Sequence, residues 1–403
     1  MLRLAFLNLF RHKVRTLITL VSIAFGVAAL ILAGGFVEDI FIQLRDATIH
    51  SRTGYLQLYR AGYFEFGRRE PYDYLIDSAP ALVPKLMKQR DTVDVLQRLN
   101  FTGLLNNSKV DRSIIAEGVE PDKEARLGSF ISIIAGEQLK DSDENGMLIG
   151  EGVAKSLQLA PGDYANLVAT TTDGSMNTLE VRIVGVFRSF SKDFDARAVR
   201  VPLTTAQELL NTQAVHSLVF SLKDVGAVDG VVAWLKRGLP AKKYEIKTWL
   251  ELDDFYQKTV ALYDRQFGVL QVIILGIVLL SVANSVSMTA NERVGEFGTL
   301  RAVGHTSGYV YRLLLVENTI LGVLGASIGL GLGVGLALLI SKIGIPMPPP
   351  PNANAGYTAL IRVLPMTCVV AFLIGFAATV MSAVLVCRGP TRRPIAEALR
   401  QNI

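Results

Sequence analysis

The sequence predicts an α-helical membrane protein with four transmembrane helices and a mixed α/β extracytoplasmic domain inserted between helices 1 and 2. Three observations carry this expectation. Of 403 residues, 50% are hydrophobic and only 19% are charged, a balance too apolar for a plain soluble enzyme and too polar for a chain lying wholly in lipid. Four segments, 16–37, 267–290, 319–340 and 365–386, stay apolar over the roughly 20 residues that a bilayer crossing needs. Between the first two lies a polar stretch, 38–266, long enough for one or two folded domains.

Residues 1–15 place Leu2, Ala5, Phe6, Leu9 and Phe10 on one helical face, as in a cytoplasmic interfacial helix lying along the inner leaflet. A basic flank that only sets topology is the other reading. The first span, 16–37, has a longer apolar run than a signal-peptide core and is expected to stay uncleaved. Its helix should continue to about Ile49. In the extracytoplasmic domain, 38–266, strand-like alternation appears in TGYLQLYRAGY, SIIAEGV, NGMLIGEG, YANLVATT, TLEVRIVGVF, RAVRVPL and SLVFSL. Helical patterns lie between them in ALVPKLMKQ, EGVAKSLQL, TTAQELLNT and GAVDGVVAWLKRG. Residues 246–266 read as a helical stalk running into the second span, 267–290.

The segment 291–312 carries charges of both signs and glycines at 295, 298, 304 and 308. Lipid would leave those charges and backbone groups unsatisfied, so the segment must lie at a membrane surface. The third span, 313–340, is apolar from Thr319 onward. Gly325, Gly329, Gly333 and Ala337 recur in it every four residues, with Gly331 and Gly335 beside them. Small residues at this spacing let helices approach closely, within one chain or across a dimer seam. The outer loop, 341–364, has prolines at 348–351 and should be stiff and extended. The fourth span is 365–386 and the tail 387–403.

Charge orients the chain. Arg3, Arg11, Lys13 and Arg15 precede the first span. Arg293, Arg301 and Arg312 lie between the second and third, and Arg388, Arg392, Arg393 and Arg400 follow the fourth. The 341–364 loop has only Lys342 and Arg362. The positive-inside rule then puts both termini and 291–312 in the cytoplasm and the large domain outside. These clusters account for the net charge of +5. No aromatic-interleaved basic patch accompanies them, so nucleic acid is not an expected partner.

Catalytic motifs are missing. No GxxxxGK[ST], GxSxG or HExxH occurs. His12, His50, His216 and His305 are scattered, and none pairs at a metal-ligand spacing. Cys368 and Cys387, in or beside the last span, leave the domain without cysteine. The chain is therefore expected to be no enzyme and to bind no cofactor or metal; energy for transport must come from elsewhere.

The pattern Glu292-Arg293…Glu296-x-Gly298-x-x-Arg301-Ala302-x-Gly304, then Glu317 before a glycine-rich span, resembles the signature of ABC transporter permeases of the FtsX/MacB/LolC-E type. NLFRHKVRTLITLVSIAFGVAAL, MLIGEGVAKSLQLAPGD, VRIVGVFRSFSKDFDARAVRVPLTTAQELL and TRRPIAEALR resemble further stretches of that family. The resemblance implies a bacterial inner-membrane protein, a cytoplasmic ATPase subunit dimer that binds ATP and Mg, and a second copy or homologous permease. It implies that Glu292, Arg293, Glu296, Gly298, Arg301, Ala302 and Gly304 form the coupling segment resting on the ATPase. It also implies mechanotransmission, in which ATP-driven closure moves the stalk and the periplasmic domain. By position, substrate contact falls to Phe36, Ile40, Phe41, Phe267 and Leu270.

Appearance favours the lipoprotein-releasing branch, with a lipoprotein or other envelope substrate and a periplasmic carrier or adaptor. The hairpin at 170–178 is short, however, where one permease of that branch extends a hook to its carrier. The alternatives are a tripartite efflux permease of the macrolide-exporter type and a transmembrane regulator of a periplasmic cell-wall hydrolase.

Overall fold

The computed structural model describes residues 13–67, 69–128, 131–348, 356–391 and 394. The expected interfacial helix falls almost wholly outside the described residues, as do most of the proline run and of the C-terminal tail. The chain divides into two compact units. One comprises Met1–Ile42, Thr259–Met347 and Thr358–Ile403; the other comprises Gln43–Lys258 and Pro348–Tyr357.

Helix α1 (Lys13–Thr48) ends in a single π turn, Ile49–Thr53, closed by Gly54 at φ 62°. Strand β1 (Leu56–Arg60), α2 (Ala79–Leu86), β2 (Thr92–Asn106), β3 (Asp111–Val119), α3 (Pro121–Leu127) and β4 (Ser132–Gly136) follow. Next come β5 (Gly146–Gly150), α4 (Glu151–Leu157), β6 (Tyr164–Thr170), β7 (Met176–Arg188), the one-turn α5 (Lys192–Asp195) and β8 (Ala198–Pro202). Helix α6 (Leu203–Leu210), β9 (Ser217–Leu222), α7 (Val228–Gly238), β10 (Tyr244–Thr248) and α8 (Trp249–Leu252) complete the domain.

Its ten strands form one mixed sheet in the order β10–β1–β9–β2–β3–β8–β5–β7–β4, and β6 branches off to pair both β2 and β7. The pairs β3–β8 and β5–β7 are parallel. In β7 the alternation is plain: Val181 and Ile183 are buried while Arg182 is exposed. Strand β2 is central, and Val95, Leu96 and Leu99 are buried on both of its faces. Two large apolar clusters stand out among those that result. Leu99, Ile149, Val153 and Leu209 belong to one, and Leu58, Leu82, Phe220 and Val231 to the other.

The expected helix at 246–266 is interrupted. Thr248 ends β10 and makes a capping box with Glu251, which starts the short α8. Asp253 then accepts from the N–H groups of Phe255 and Tyr256 at 3.1 and 3.3 Å and so caps a new helix, α9 (Asp254–Glu292).

The unit that holds Thr259–Met347 is mainly helical. After α9 come α10 (Val294–Ala302), α11 (Ser307–Ile343), the hairpin β11 (Ile345–Met347) and β12 (Tyr357–Ala359), α12 (Pro365–Val386) and the one-turn α13 (Arg388–Thr391). Among the described residues, four helices are long and apolar enough to cross a membrane, at Thr16–Thr53, Asp254–Glu292, Ser307–Ile343 and Pro365–Val386. Ser281 on α9 donates to Ser22 on α1 at 3.0 Å, and Thr19 bonds Ser285. The segment after β12 straps α1 to α11. Asp39, fully buried, accepts from the Leu360 N–H and from Arg362 Nε, each at 2.8 Å. The Arg362 N–H donates to the Gly35 carbonyl at 3.1 Å. Ser341 Oγ donates to the Ile361 carbonyl at 3.0 Å and accepts its N–H at 2.9 Å.

Candidate functional site

Helix α10 is set between two stops. At its start the chain kinks after α9, although the Arg293 N–H still reaches the Thr289 carbonyl at 3.3 Å. At its end Gly304 takes φ 106°, a conformation that favours glycine. Thr306 then caps α11 by accepting from the Tyr309 N–H at 3.2 Å. Val294 and Phe297, three apart on one face, are buried at 1% and 2% exposure. Phe297 joins an apolar cluster with Val310 and Leu314 of α11.

Arg293 is the fixed point. Its side chain is 8% exposed; Nη1 reaches Glu317 of α11 at 2.6 Å and Nε reaches Glu296 at 3.0 Å. The guanidinium lies 5.5 Å from the centre of the Phe297 ring.

The seven expected coupling residues therefore separate. Arg293 and Gly298 are buried, Glu296 and Arg301 are half-buried, and Glu292, Ala302 and Gly304 are exposed. Arg293 works from inside, where it ties α10 to α11. Sequence reasoning passed over Val303, which is 78% exposed between Ala302 and Gly304; an apolar residue beside a helix-ending glycine was the available signal. His305 stacks on Tyr309 at 4.3 Å.

The glycine ridge faces α1. A Cβ on Gly325 would come within 2.9 Å of Ile23, one on Gly329 within 2.7 Å of the Ala24 carbonyl oxygen, and one on Gly333 within 2.9 Å of Ile31. Ala337 is buried. Gly331 and Gly335 look onto open space. The expected substrate-contact residues are spread along two helices, Phe36, Ile40 and Phe41 on α1 and Phe267 and Leu270 on α9. Phe41 meets Tyr263 edge-on at 6.3 Å, and Leu270 is exposed. Within the inserted domain a cavity of about 380 Å³ is lined by Leu44, Arg52, Phe190, Phe194, Arg197 and Phe255, among others. The two phenylalanines in the polar loop SFSKDF were its only trace in the sequence.

Among the described residues, no group of three or more His, Cys, Asp or Glu side chains is placed to hold a metal ion. His216 is buried, and its Nδ1 accepts the Asn100 N–H at 3.2 Å, so Nε2 carries the proton. Burial holds its pKa down at about 4, against a bond to the Pro71 backbone that favours the charged form.

Against known proteins, a family model of the MacB-like periplasmic core domain matches residues 16–237, and one of the FtsX-like permease C-terminal matches residues 268–395. The chain is similar to the lipoprotein-releasing system transmembrane protein LolE of Haemophilus influenzae, with 21% identity over 58% of this chain and 57% of that protein. It is similar to the corresponding protein LolC of Neisseria meningitidis serogroup B, with 20% identity over 78% of this chain and 75% of that protein. Of solved structures, it is similar to the periplasmic region of MacB from Actinobacillus actinomycetemcomitans, with 15% identity, a TM-score of 0.39 and coverage of 53% of this chain and 95% of that one. The match to LolE thus spans little more than half of that protein's length. The first family model alone takes in more than half of the chain and the second takes in the remaining spans: the chain belongs to the ABC transporter permeases of the FtsX/MacB/LolC type.

Proposed function

We propose that this chain is a non-catalytic permease subunit whose energy comes from a separate cytoplasmic ATPase dimer, which binds the ATP and Mg. In this reading the termini and α10 face the cytoplasm of a bacterial inner membrane, and the inserted domain faces the periplasm. The ATPase rests on the exposed residues at the two ends of α10, Glu292 before it and Ala302, Val303 and Gly304 at its close, with Glu296 and Arg301 at the edge. The observation that carries it is the seating of α10. One side of this short helix is pinned by Arg293 to Glu317, so a push on the other side reaches α11 without slack. The long helices α1 and α9 pass the movement to the inserted domain.

The substrate is a lipoprotein or another envelope molecule, with Phe36, Ile40, Phe41, Phe267 and Leu270 as candidate contacts. Similarity to LolE and LolC supports the lipoprotein-releasing branch. The β6–β7 connection is tight, closed by the Thr171 N–H on the Ser175 carbonyl at 2.7 Å. Such a turn offers no hook for a periplasmic carrier, so the chain is read as the non-docking permease of a pair or as one that needs no carrier.

The test is co-purification of the tagged chain in mild detergent, followed by mass spectrometry. An ATPase with a second, related permease supports the reading. An ATPase with an envelope adaptor marks a tripartite exporter instead, and reproducible recovery without any ATPase overturns it. Glu296→Lys and Arg301→Glu should leave membrane insertion intact and lower the ATPase activity coupled to this chain at least tenfold. Full coupling in both variants would remove α10 from the proposal.

A further inference from the structure

The inserted domain holds four buried charges that no step so far has used. Arg98 on β2, Glu117 on β3, Glu124 on α3 and Arg200 on β8 all have side chains no more than 10% exposed. Arg98 Nε donates to Glu124 at 3.2 Å, Arg200 Nε donates to Glu117 at 2.9 Å, and Arg200 also lies 3.5 Å from Glu124. Burial alone would push the Glu124 carboxyl up, but the charges of Arg98 and Arg200 hold it below its ordinary value. Such a cluster is a poor source of stability, because well-packed apolar residues of the same volume serve as well or better. Its placement points to another use.

Each arginine also gives an N–H to the backbone. Arg200 Nη2 donates to the Ser51 carbonyl at 3.2 Å, and Arg98 Nη1 donates to the Arg52 carbonyl. These carbonyls belong to the π turn that ends α1, where backbone acceptors lose their helical partners and a nearby cation is favoured by the helix dipole. Three neighbouring carbonyls are also bonded. The Thr48 carbonyl accepts from Thr53 Oγ1 at 3.2 Å, that of Ile49 from the Gly54 N–H at 2.9 Å and that of Thr53 from Gln57 Nε2 at 2.7 Å. On the other side, Thr48 Oγ1 donates to Asp253 Oδ2 at 2.9 Å. The Oδ1 of Asp253 is the atom that caps α9, and Arg52 lies 3.8 Å from it. One carboxylate thus holds the last turn of α1 and the first turn of α9 together.

The geometry points to a joint. Arg98, Arg200 and Asp253 are positioning residues that fix the end of α1 and the start of α9 to the sheet and to each other, so that both helices move the domain as one body. The use made of that joint rests on the force-transmission reading given above; the joint itself does not.

The experiment uses the full chain in lipid nanodiscs and reads amide hydrogen exchange segment by segment. In Asp253→Asn and Arg200→Met, residues 48–56 and 252–258 should exchange at least tenfold faster, while β5 and β7 keep their wild-type rates. Thr48→Val, which keeps the shape and removes one hydrogen bond, should show a smaller acceleration in the same two segments. Unchanged exchange there, or an equal acceleration across β5 and β7, overturns the joint. A dye on Glu180→Cys, in a Cys368→Ser chain bound to its ATPase, supplies the second reading. Asp253→Asn should lose most of the ATP-dependent signal while ATP hydrolysis stays within twofold, and Asp253→Glu should restore part of it. If the otherwise wild-type labelled chain shows no ATP-dependent signal, force transmission fails, and the exchange data still decide the joint.

Discussion

Each of the two units buries arginine against glutamate at a helix end, and they direct the arginine differently. In the helical unit Arg293 turns its bonded nitrogens to carboxylates, Glu317 and Glu296. In the inserted domain Arg98 and Arg200 each keep an N–H for a backbone carbonyl on α1. The first arrangement is closed on itself and holds a nine-residue helix in place. The second is open and reaches an element far away in sequence. The lesson is that a buried ion pair is defined by where its remaining donors go.

The largest expected effect comes from splitting the pairs. Arg293→Met takes the guanidinium from the buried Glu317, and Glu317→Ala leaves the buried Arg293 with Glu296 as its carboxylate partner; the first should cost about 3–5 kcal/mol in thermal unfolding in detergent and the second somewhat less. The double variant Arg293→Met with Glu317→Leu should recover most of that loss. Arg98→Met with Glu124→Leu should recover less, because the Arg52 carbonyl loses its donor, a deficit of about 1–3 kcal/mol. Equal recovery at both sites would erase the distinction between closed and open.

Acid sharpens it next. His216 has its pKa lowered to about 4 in the fold, against about 6.5 in the unfolded chain. Its contribution is therefore complete above about pH 6.5 and falls away as the pH drops to 4, a total on the order of 3 kcal/mol. Glu124, also lowered, acts in the same direction but only below its unfolded value of about 4.3. Acid unfolding of the inserted domain, followed by hydrogen exchange, should therefore begin before Glu124 titrates. His216→Gln should flatten the first part of the curve; an unaltered profile would take His216 out of the account.

A smaller effect separates the two glycine rows. Gly329→Leu presses on the Ala24 carbonyl and should destabilise by about 1–3 kcal/mol. Gly331→Leu enters open space and should stay within about 0.5 kcal/mol. If Gly331→Leu nevertheless lowers the dimer fraction in native mass spectrometry, a second permease sits on that row. The smallest effect on stability belongs to Arg301→Glu, within about 0.5 kcal/mol for a half-exposed position, although its effect on coupling should be large; Glu296→Lys, which takes a carboxylate from the buried Arg293, should cost more.

Much of the fold was legible. The four spans stand out by length, and β5 through β9 follow the segments whose alternation predicts strands. Strand β2 was hidden because a central strand buries both faces, so Val95, Leu96 and Leu99 break the alternation. The stop at Asp253 was hidden because YEIKT and WLEL read as one helical lead-in unless the capping box is noticed. For the site, the family motif picks out α10 but not which way each residue faces. Val294 and Phe297 hold that information, and glycines at 295 and 298 blur it. The joint was illegible for a plainer reason: Arg200 lies 149 residues from Ser51 and Asp253 lies 205 from Thr48, distances at which no local pattern speaks.

The strap over α1 bears on the order in which the protein is made. Asp39 finds its partners Leu360 and Arg362 only 321 and 323 residues later. At about 5–20 residues per second of synthesis, that leaves a carboxylate at the end of the first span waiting on the order of half a minute for them. Until residues 360–362 arrive, α1 has no fastening from this segment, so a stretch made 321 residues later completes the hold on the first span. Nascent chains that stop before β12 should therefore be cleared by quality control even with three spans inserted.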